Sequence, residues 1–136
     1  MDTKTRRSKC PINFAVEIFG DKWTLLIVRD MVLRGQTSYG DFLDSYEKIS
    51  TNILADRLSK LEQEGMVHKS RDEQHGAKCV YTPTEKMLDL LPVMLEMILW
   101  SAKHNTDSVV PDSMVDQIRE NRTKVIEDIL DSLEHR

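Results

Sequence analysis

Residues 88–100 carry apolar side chains around almost the whole circumference of a helix: Leu88, Leu90, Leu91, Val93, Met94, Leu95, Met97, Ile98, Leu99 and Trp100. A helix resting on one core needs only a stripe of such residues, so a helix apolar on every side must be covered from two directions. Asp89 and Glu96 interrupt the run, and it falls short of the roughly 18 uninterrupted apolar residues of a membrane span. The pattern predicts a helix over 85–103, with Thr84 as its cap. In a chain of 136 residues the second cover is most economically a second copy of the chain. The alternative is that the last helix folds back onto it.

Punctuation and periodicity divide the rest. A first helix is predicted over 11–19, with Pro11 in its first turn and Ile12, Ala15, Val16 and Phe19 at helical spacing; Gly20 stops it. Asp21 caps a second helix over 22–33. Ser38 opens a short third one, running to about residue 45. Ser50 caps a fourth, over 50–64, with Ile53, Leu54, Leu58 and Leu61 as its apolar stripe, Ile49 packing back as a staple and Gly65 as its stop. Residues 66–71 and 78–82 read as two short strands around a polar turn containing Gly76. Cys79 and Tyr81 share a face of the second strand. Pro111 opens a last amphipathic helix reaching about residue 133, whose seam includes Met114, Val115, Ile118, Val125, Ile126 and Ile129. The fold class is therefore mainly α with a small β-hairpin, in the order of a winged helix-turn-helix. The domain organisation read from it is a basic arm over 1–10, a winged-helix core over 11–104, and a C-terminal helix over 111–136.

The net charge of −4 at first argues against a nucleic-acid partner, but the charge is unevenly placed. Residues 1–10 hold four basic side chains against one acidic, residues 50–82 hold five of each, and residues 83–136 hold six basic against eleven acidic. The acidity thus sits mostly in the last third and leaves the first two thirds free to meet phosphate. Two cysteines exclude a disulfide scaffold and suit a reducing compartment. With no leader-like segment in the chain, the default address is the cytoplasm.

The fourth helix carries the functional argument. With Leu54, Leu58 and Leu61 turned inward, Asn52, Ala55, Asp56, Ser59, Lys60 and Gln63 fall on the outward side. That strip is slim and polar, as a helix entering the major groove N-terminus first requires. Ser50, Thr51 and Asn52 lie beside free backbone N–H groups that bind phosphate. Asn suits the edge of adenine, and Thr suits a base or a thymine methyl. Arg57 and Lys60 flank the strip and suit phosphates. Asp56 repels phosphate, and two roles stay open to it: acceptor for cytosine N4, or holder of Arg57 or Lys60. In the hairpin, Arg71, His75 and Lys78 are the candidate backbone contacts. The competing reading of this face is a solvated helix surface on a protein-interaction module that binds no DNA.

These residues also resemble a family. Cys10-Pro11, the run from Phe19 to Ile27, Gly35, the run from Ser38 to Phe42, Ile49-Ser50, the run from Leu54 to Val67, Tyr81, Thr84, Leu91-Pro92-Val93 and Trp100 are similar, in order and spacing, to HxlR-type transcriptional regulators, a branch of the winged-helix repressors related to MarR. The resemblance implies a homodimeric repressor on a pseudo-palindromic operator in double-stranded DNA, with the helix from Ser50 reading bases and the hairpin touching the backbone. It implies dimerisation through the first and fifth helices, and the last helix is expected to extend that interface. The candidate interface residues are Ile12, Phe19, Leu91, Met94, Leu95, Ile98, Ile118 and Ile129. Met87 stands where the family commonly has Gly.

Cys10 precedes Pro11 at a helix start beside Arg6, Arg7 and Lys9, surroundings in which thiols react readily. The resemblance offers it as a sensor of oxidants or electrophiles; the bland alternative is a cysteine that only packs. His68, His75 and Cys79 fit no usual zinc spacing, so no metal is expected. Met94 and Met97 suit core packing, with an effector pocket as the second option. No Gly-rich phosphate loop or nucleophile elbow is present. The reading is accordingly a regulator, with no enzymatic role, no cofactor and no membrane partner.

Overall fold

A computed structural model describes residues 6–76, 78–107 and 109–135. The contacts divide the chain into two compact units, Met1–Met87 and Leu88–Arg136.

The first unit is built from α1 (Pro11–Phe19), α2 (Thr24–Val32), α3 (Tyr39–Leu43), α4 (Thr51–Gln63), the strands β1 (Val67–Asp72) and β2 (Lys78–Pro83), and the four-residue α5 (Glu85–Leu88), whose last residue passes into the second unit. Helix starts follow the expected chemistry. Pro11 occupies the first turn of α1. Ser38 Oγ accepts from Asp41 N–H at 3.1 Å, and Ser50 Oγ accepts from Ile53 N–H at 3.3 Å, so each hydroxyl satisfies an amide that no helical carbonyl can reach. The second helix begins two residues later than its periodicity predicts, because Asp21 sits ahead of it and receives the N–H groups of Trp23 and Thr24.

Gly65 and Gly76 both take φ of 74°, a region in which a Cβ is strained. Gly65 ends α4 and lets the chain turn into β1; Gly76 closes the turn between the strands. The strands pair antiparallel from Val67↔Pro83 to Asp72↔Lys78. Tyr81 N–H also donates to Thr37 C=O at 2.8 Å, which fastens the hairpin to the segment before α3. Tyr81 then meets Phe42 edge-on, with centroids 6.2 Å apart. Thr84 does not cap the following helix as expected. Its hydroxyl donates to the carbonyls of Gly65 and Met66, which closes the base of the hairpin.

Leu54, Leu58 and Leu61 of α4 are buried, as are Ile27, Val28, Met31 and Val32 of α2 and Ile49 ahead of α4. Asp30 is buried too, at 2% exposure. Its carboxylate pairs with Arg29 at 2.9 Å and Arg34 at 3.2 Å, and Arg29 forks onto Glu47 with two bonds of 2.8 Å. A buried charge persists only with such partners. The network ties α2 to the turn before α4.

The second unit holds α6 (Leu91–His104), α7 (Asp112–Glu120) and α8 (Arg122–Glu134). Two helices predicted as continuous are broken. The expected helix over 85–103 stops at Leu88 and restarts at Leu91, because Pro92 has no N–H to give and fits only the first turn of a new helix. The expected helix over 111–133 breaks at Asn121, whose backbone leaves the helical region at φ −150°, ψ 73° and whose side chain accepts from Lys124 N–H. An ion pair joins Arg122 to Glu96. Leu91, Met94 and Leu95 of α6 and Val115 and Ile118 of α7 are buried, while Val93, Met97 and Trp100 form an exposed apolar strip on α6.

Leu58→Ala removes a buried side chain from the middle of the α4 stripe. It is expected to lower unfolding stability by about 2–5 kcal/mol, read from urea denaturation.

Candidate nucleic-acid interface

Burial of the leucine stripe determines which side of α4 is left outward. Thr51, Asn52, Ala55, Asp56 and Ser59 are exposed, and Ser50 stands exposed at the cap. Of the strip predicted from periodicity, Asn52, Ala55, Asp56, Ser59 and Gln63 lie on an open surface of small or polar side chains, and Lys60 is half-buried. Its N-terminal end is steadied from α3: the Tyr39 hydroxyl donates to Thr51 C=O at 2.8 Å.

The two cations beside the strip are engaged with their own chain. Arg57 Nε donates to Asp21 Oδ1 at 3.0 Å, and its Nη1 donates to Asp56. Lys60 Nζ donates to Glu17 C=O at 2.8 Å. Of the two roles open to Asp56, holding Arg57 is seen, and holding Lys60 is not. At the far end of α4, Glu64 pairs with Arg6 at 3.1 Å, and its C=O accepts from Lys86. Helix α4 is thus fastened to α1, to the start of α2 and to the segment preceding Cys10. None of these ties was foreseen. They join residues 43 to 58 positions apart or 36 in the case of Asp21, and helical periodicity carries no signal at that range.

Asp21 is the centre of this arrangement. Burial by itself raises its pKa. The Thr24 hydroxyl, the Trp23 N–H, the Arg57 guanidinium and the Thr24 N–H outweigh that and hold the carboxyl well below the usual carboxylate range. Arg57 is correspondingly raised, mainly by its hydrogen bond to Asp21.

In the hairpin, Arg71 and Lys78 are exposed, and the side chain of His75 lies outside the described residues. Lys69 lies 5.9 Å from the centre of the Tyr81 ring. Cys79 is half-buried and His68 exposed.

Cys10 is exposed at the start of α1. Together with Arg6, Ser8, Lys9 and Phe14 it lines a surface cleft. Among the expected interface residues, Leu91, Met94, Leu95 and Ile118 are buried within the chain itself, which leaves them little surface to give a second copy. Phe19, Ile98 and Ile129 are half-buried, and Ile12 is 72% exposed. Among the described residues the exposed large apolar side chains are Ile12, Phe14 and Val16 on α1, Val93, Met97 and Trp100 on α6, and Tyr46 and Val109 outside both helices. Among the described residues no helix is long and apolar enough to cross a membrane.

The model of the HxlR-like helix-turn-helix family matches residues 18–109. The HTH-type transcriptional regulator YdeP of Bacillus subtilis is 30% identical over 95 residues, which make up 70% of this chain and 73% of YdeP. YodB, an HTH-type transcriptional regulator of the same organism, is 31% identical over 93 residues, 68% of this chain and 82% of its own. The reduced form of YodB superposes with a TM-score of 0.61 at 28% identity, covering 74% of this chain and 99% of YodB. The redox regulator HypR in its oxidised form gives 0.64 at 28% identity, covering 73% of this chain and all of HypR. YodB has also been solved in diamide-treated and quinone-bound forms.

The depressed Asp21 pKa makes a testable statement about acid stability. A carboxyl held below its ordinary value of 3.8 stabilises the fold above that value and loses the contribution as pH falls below it. Asp21→Asn is expected to cost about 1–2 kcal/mol at pH 7. Its stability should also fall less steeply than wild type between pH 5 and pH 2, in urea titrations at stepped pH.

Proposed function

The chain belongs to the HxlR-like helix-turn-helix family of transcriptional regulators, and on that premise we propose that it acts as a homodimer that binds pseudo-palindromic double-stranded DNA as a repressor. The carrying observation is the exposed, slim strip of α4 that burial of Leu54, Leu58 and Leu61 leaves facing outward. Thr51, Asn52, Ala55 and Ser59 offer small donors, acceptors and methyl groups of the kind that read base edges in the major groove. The amides at the start of α4, with Ser50, offer a phosphate contact. Arg71, Lys78 and His75 of the hairpin are assigned to the sugar-phosphate backbone.

Arg57 and Lys60 take a supporting part in this reading. Their charged ends hold Asp21, Asp56 and Glu17, so they contribute positive potential and fix the pose of α4. Exposed apolar side chains on α1 and an exposed apolar strip on α6 support a second copy as their cover. Two surfaces of this kind on a monomer are a liability that association removes. Ile12, Phe14 and Val16 in the first unit and Val93, Met97 and Trp100 in the second are the residues assigned to it, together with Phe19, Ile98 and Ile129.

Thiol control through Cys10 belongs to the same proposal. Support comes from its exposure at the start of α1, from the cations Arg6 and Lys9 in its cleft, and from the redox chemistry named for HypR and YodB. An oxidant or a quinone is the effector class assigned to it.

DNA binding should weaken steeply as salt rises, because neutralised phosphates release counterions. In fluorescence anisotropy with duplexes recovered by selection, Asn52→Ala is expected to relax base preference at one position of each half-site. Arg71→Ala and Lys78→Ala should weaken all sequences alike and reduce the salt slope. Variants on both elements that bind as wild type does would remove α4 and the hairpin from the interface. Diamide treatment is expected to lower wild-type affinity and to spare Cys10→Ser; equal loss in both proteins excludes Cys10 from the response.

A further inference from the structure

Asp56 is placed where a carboxylate is least expected on a helix that enters DNA. It lies about 200° round α4 from both Leu54 and Leu58, at the centre of the outward side, and its side chain is 68% exposed. A negative charge there repels the phosphates that flank the groove. Yet the structure holds it in a defined position. Arg57 Nη1 donates to Asp56 Oδ2, while Arg57 Nε is anchored on Asp21 Oδ1 at 3.0 Å. The guanidinium therefore bridges a carboxylate fixed at the start of α2 and a carboxylate on the strip. Asp56 Oδ1 accepts no hydrogen bond among the described residues.

Resting on the reading of α4 as the DNA-facing helix, we propose that Asp56 is a specificity-determining residue that accepts a hydrogen bond from the N4 amino group of a cytosine in the major groove, with Arg57 and Asp21 as its positioning residues. An ionised carboxylate only accepts. Guanine and thymine turn acceptors toward the major groove, so they repel it. Adenine offers the N6 donor, but with the N7 acceptor beside it. Cytosine offers N4 alone. The anchored Arg57 neutralises the local charge. Because its Nε is held by Asp21, it does not swing out to read guanine itself. One oxygen of Asp56 is thus committed to the protein and the other is left for one donor, which favours a single base over a class of bases.

The test is a selection from duplexes with a randomised core, carried out with wild type, Asp56→Ala, Asp56→Asn and Arg57→Ala, followed by affinity measurements on single probes. Asp56 is exposed, so its two variants are expected to melt at the wild-type temperature. Wild type should recover a symmetric motif with cytosine at one position of each half-site. Replacing that C·G pair by T·A should weaken wild-type binding about tenfold and leave Asp56→Ala unchanged. Asp56→Asn should shift that position toward adenine, because an amide donates to N7 and accepts from N6. Arg57→Ala should blur the cytosine preference more than that of the other positions, an outcome that uniform weakening does not produce. If the Asp56 variants keep cytosine, the assignment of Asp56 falls and the DNA-reading role of α4 stands. If Arg57→Ala keeps it, the positioning role falls. If wild type recovers no shared sequence, the reading of α4 fails and this assignment fails with it.

Discussion

The Asp21 carboxylate accepts from the amides of Trp23 and Thr24, from the Thr24 hydroxyl and from Arg57. The first three bonds begin α2; the fourth reaches across to α4. One short side chain at a helix junction therefore does two things that the rest of the unit depends on. It satisfies orphan amides at a helix start, and it fixes the rotation of the helix whose outer strip faces solvent. The buried leucines of α4 set which side is inward to within the width of a stripe. The ion pair narrows that to a defined pose, because a guanidinium bound at Nε has little freedom left.

Two further ties act on the same helix. Lys60 is held by the last turn of α1 through Glu17 C=O, and Glu64 is held by Arg6 just ahead of Cys10. The start, middle and end of α4 are each secured by a different part of the chain. The unit spends scarce positive charge on this. In a stretch with as many acidic as basic residues, two cations that periodicity places beside the outward strip are used to hold it still. What α4 leaves exposed is then mainly hydrogen-bonding shape, while Arg71 and Lys78 of the hairpin are exposed cations.

Much of this was legible in the residues. The limits of α1, the serine caps of α3 and α4, the glycine that ends α4 and the hairpin around Gly76 all follow from local rules that need only a few neighbouring positions. The outward strip of α4 follows from the leucine spacing alone. The misses have physical causes of a different kind. Pro92 and Asn121 break helices that hydrophobic spacing runs straight through, since spacing does not register a missing N–H or a side chain that competes for one. The partners of Arg57 and Lys60 come from chain segments far away in sequence. Helix α6 shows the same limit in another form. Its composition predicts that two sides need cover, but not which residues the chain covers itself. Leu91, Met94 and Leu95 are taken inside, and Val93, Met97 and Trp100 are left out.

Gly20 ends α1 with an ordinary right-handed backbone, φ −77°, so conformational freedom is not why glycine suits this corner. The reason is space: a Cβ there would stand 2.5 Å from the Val16 carbonyl oxygen and 2.7 Å from a Val16 methyl. The crowded oxygen belongs to the residue before Glu17, whose own carbonyl receives Lys60. A single methyl group at residue 20 thus has no room unless the final turn of α1 unwinds or tilts, and that turn is a handle on α4. The corner acts as a spacer of fixed thickness between two helices, and its thickness is zero.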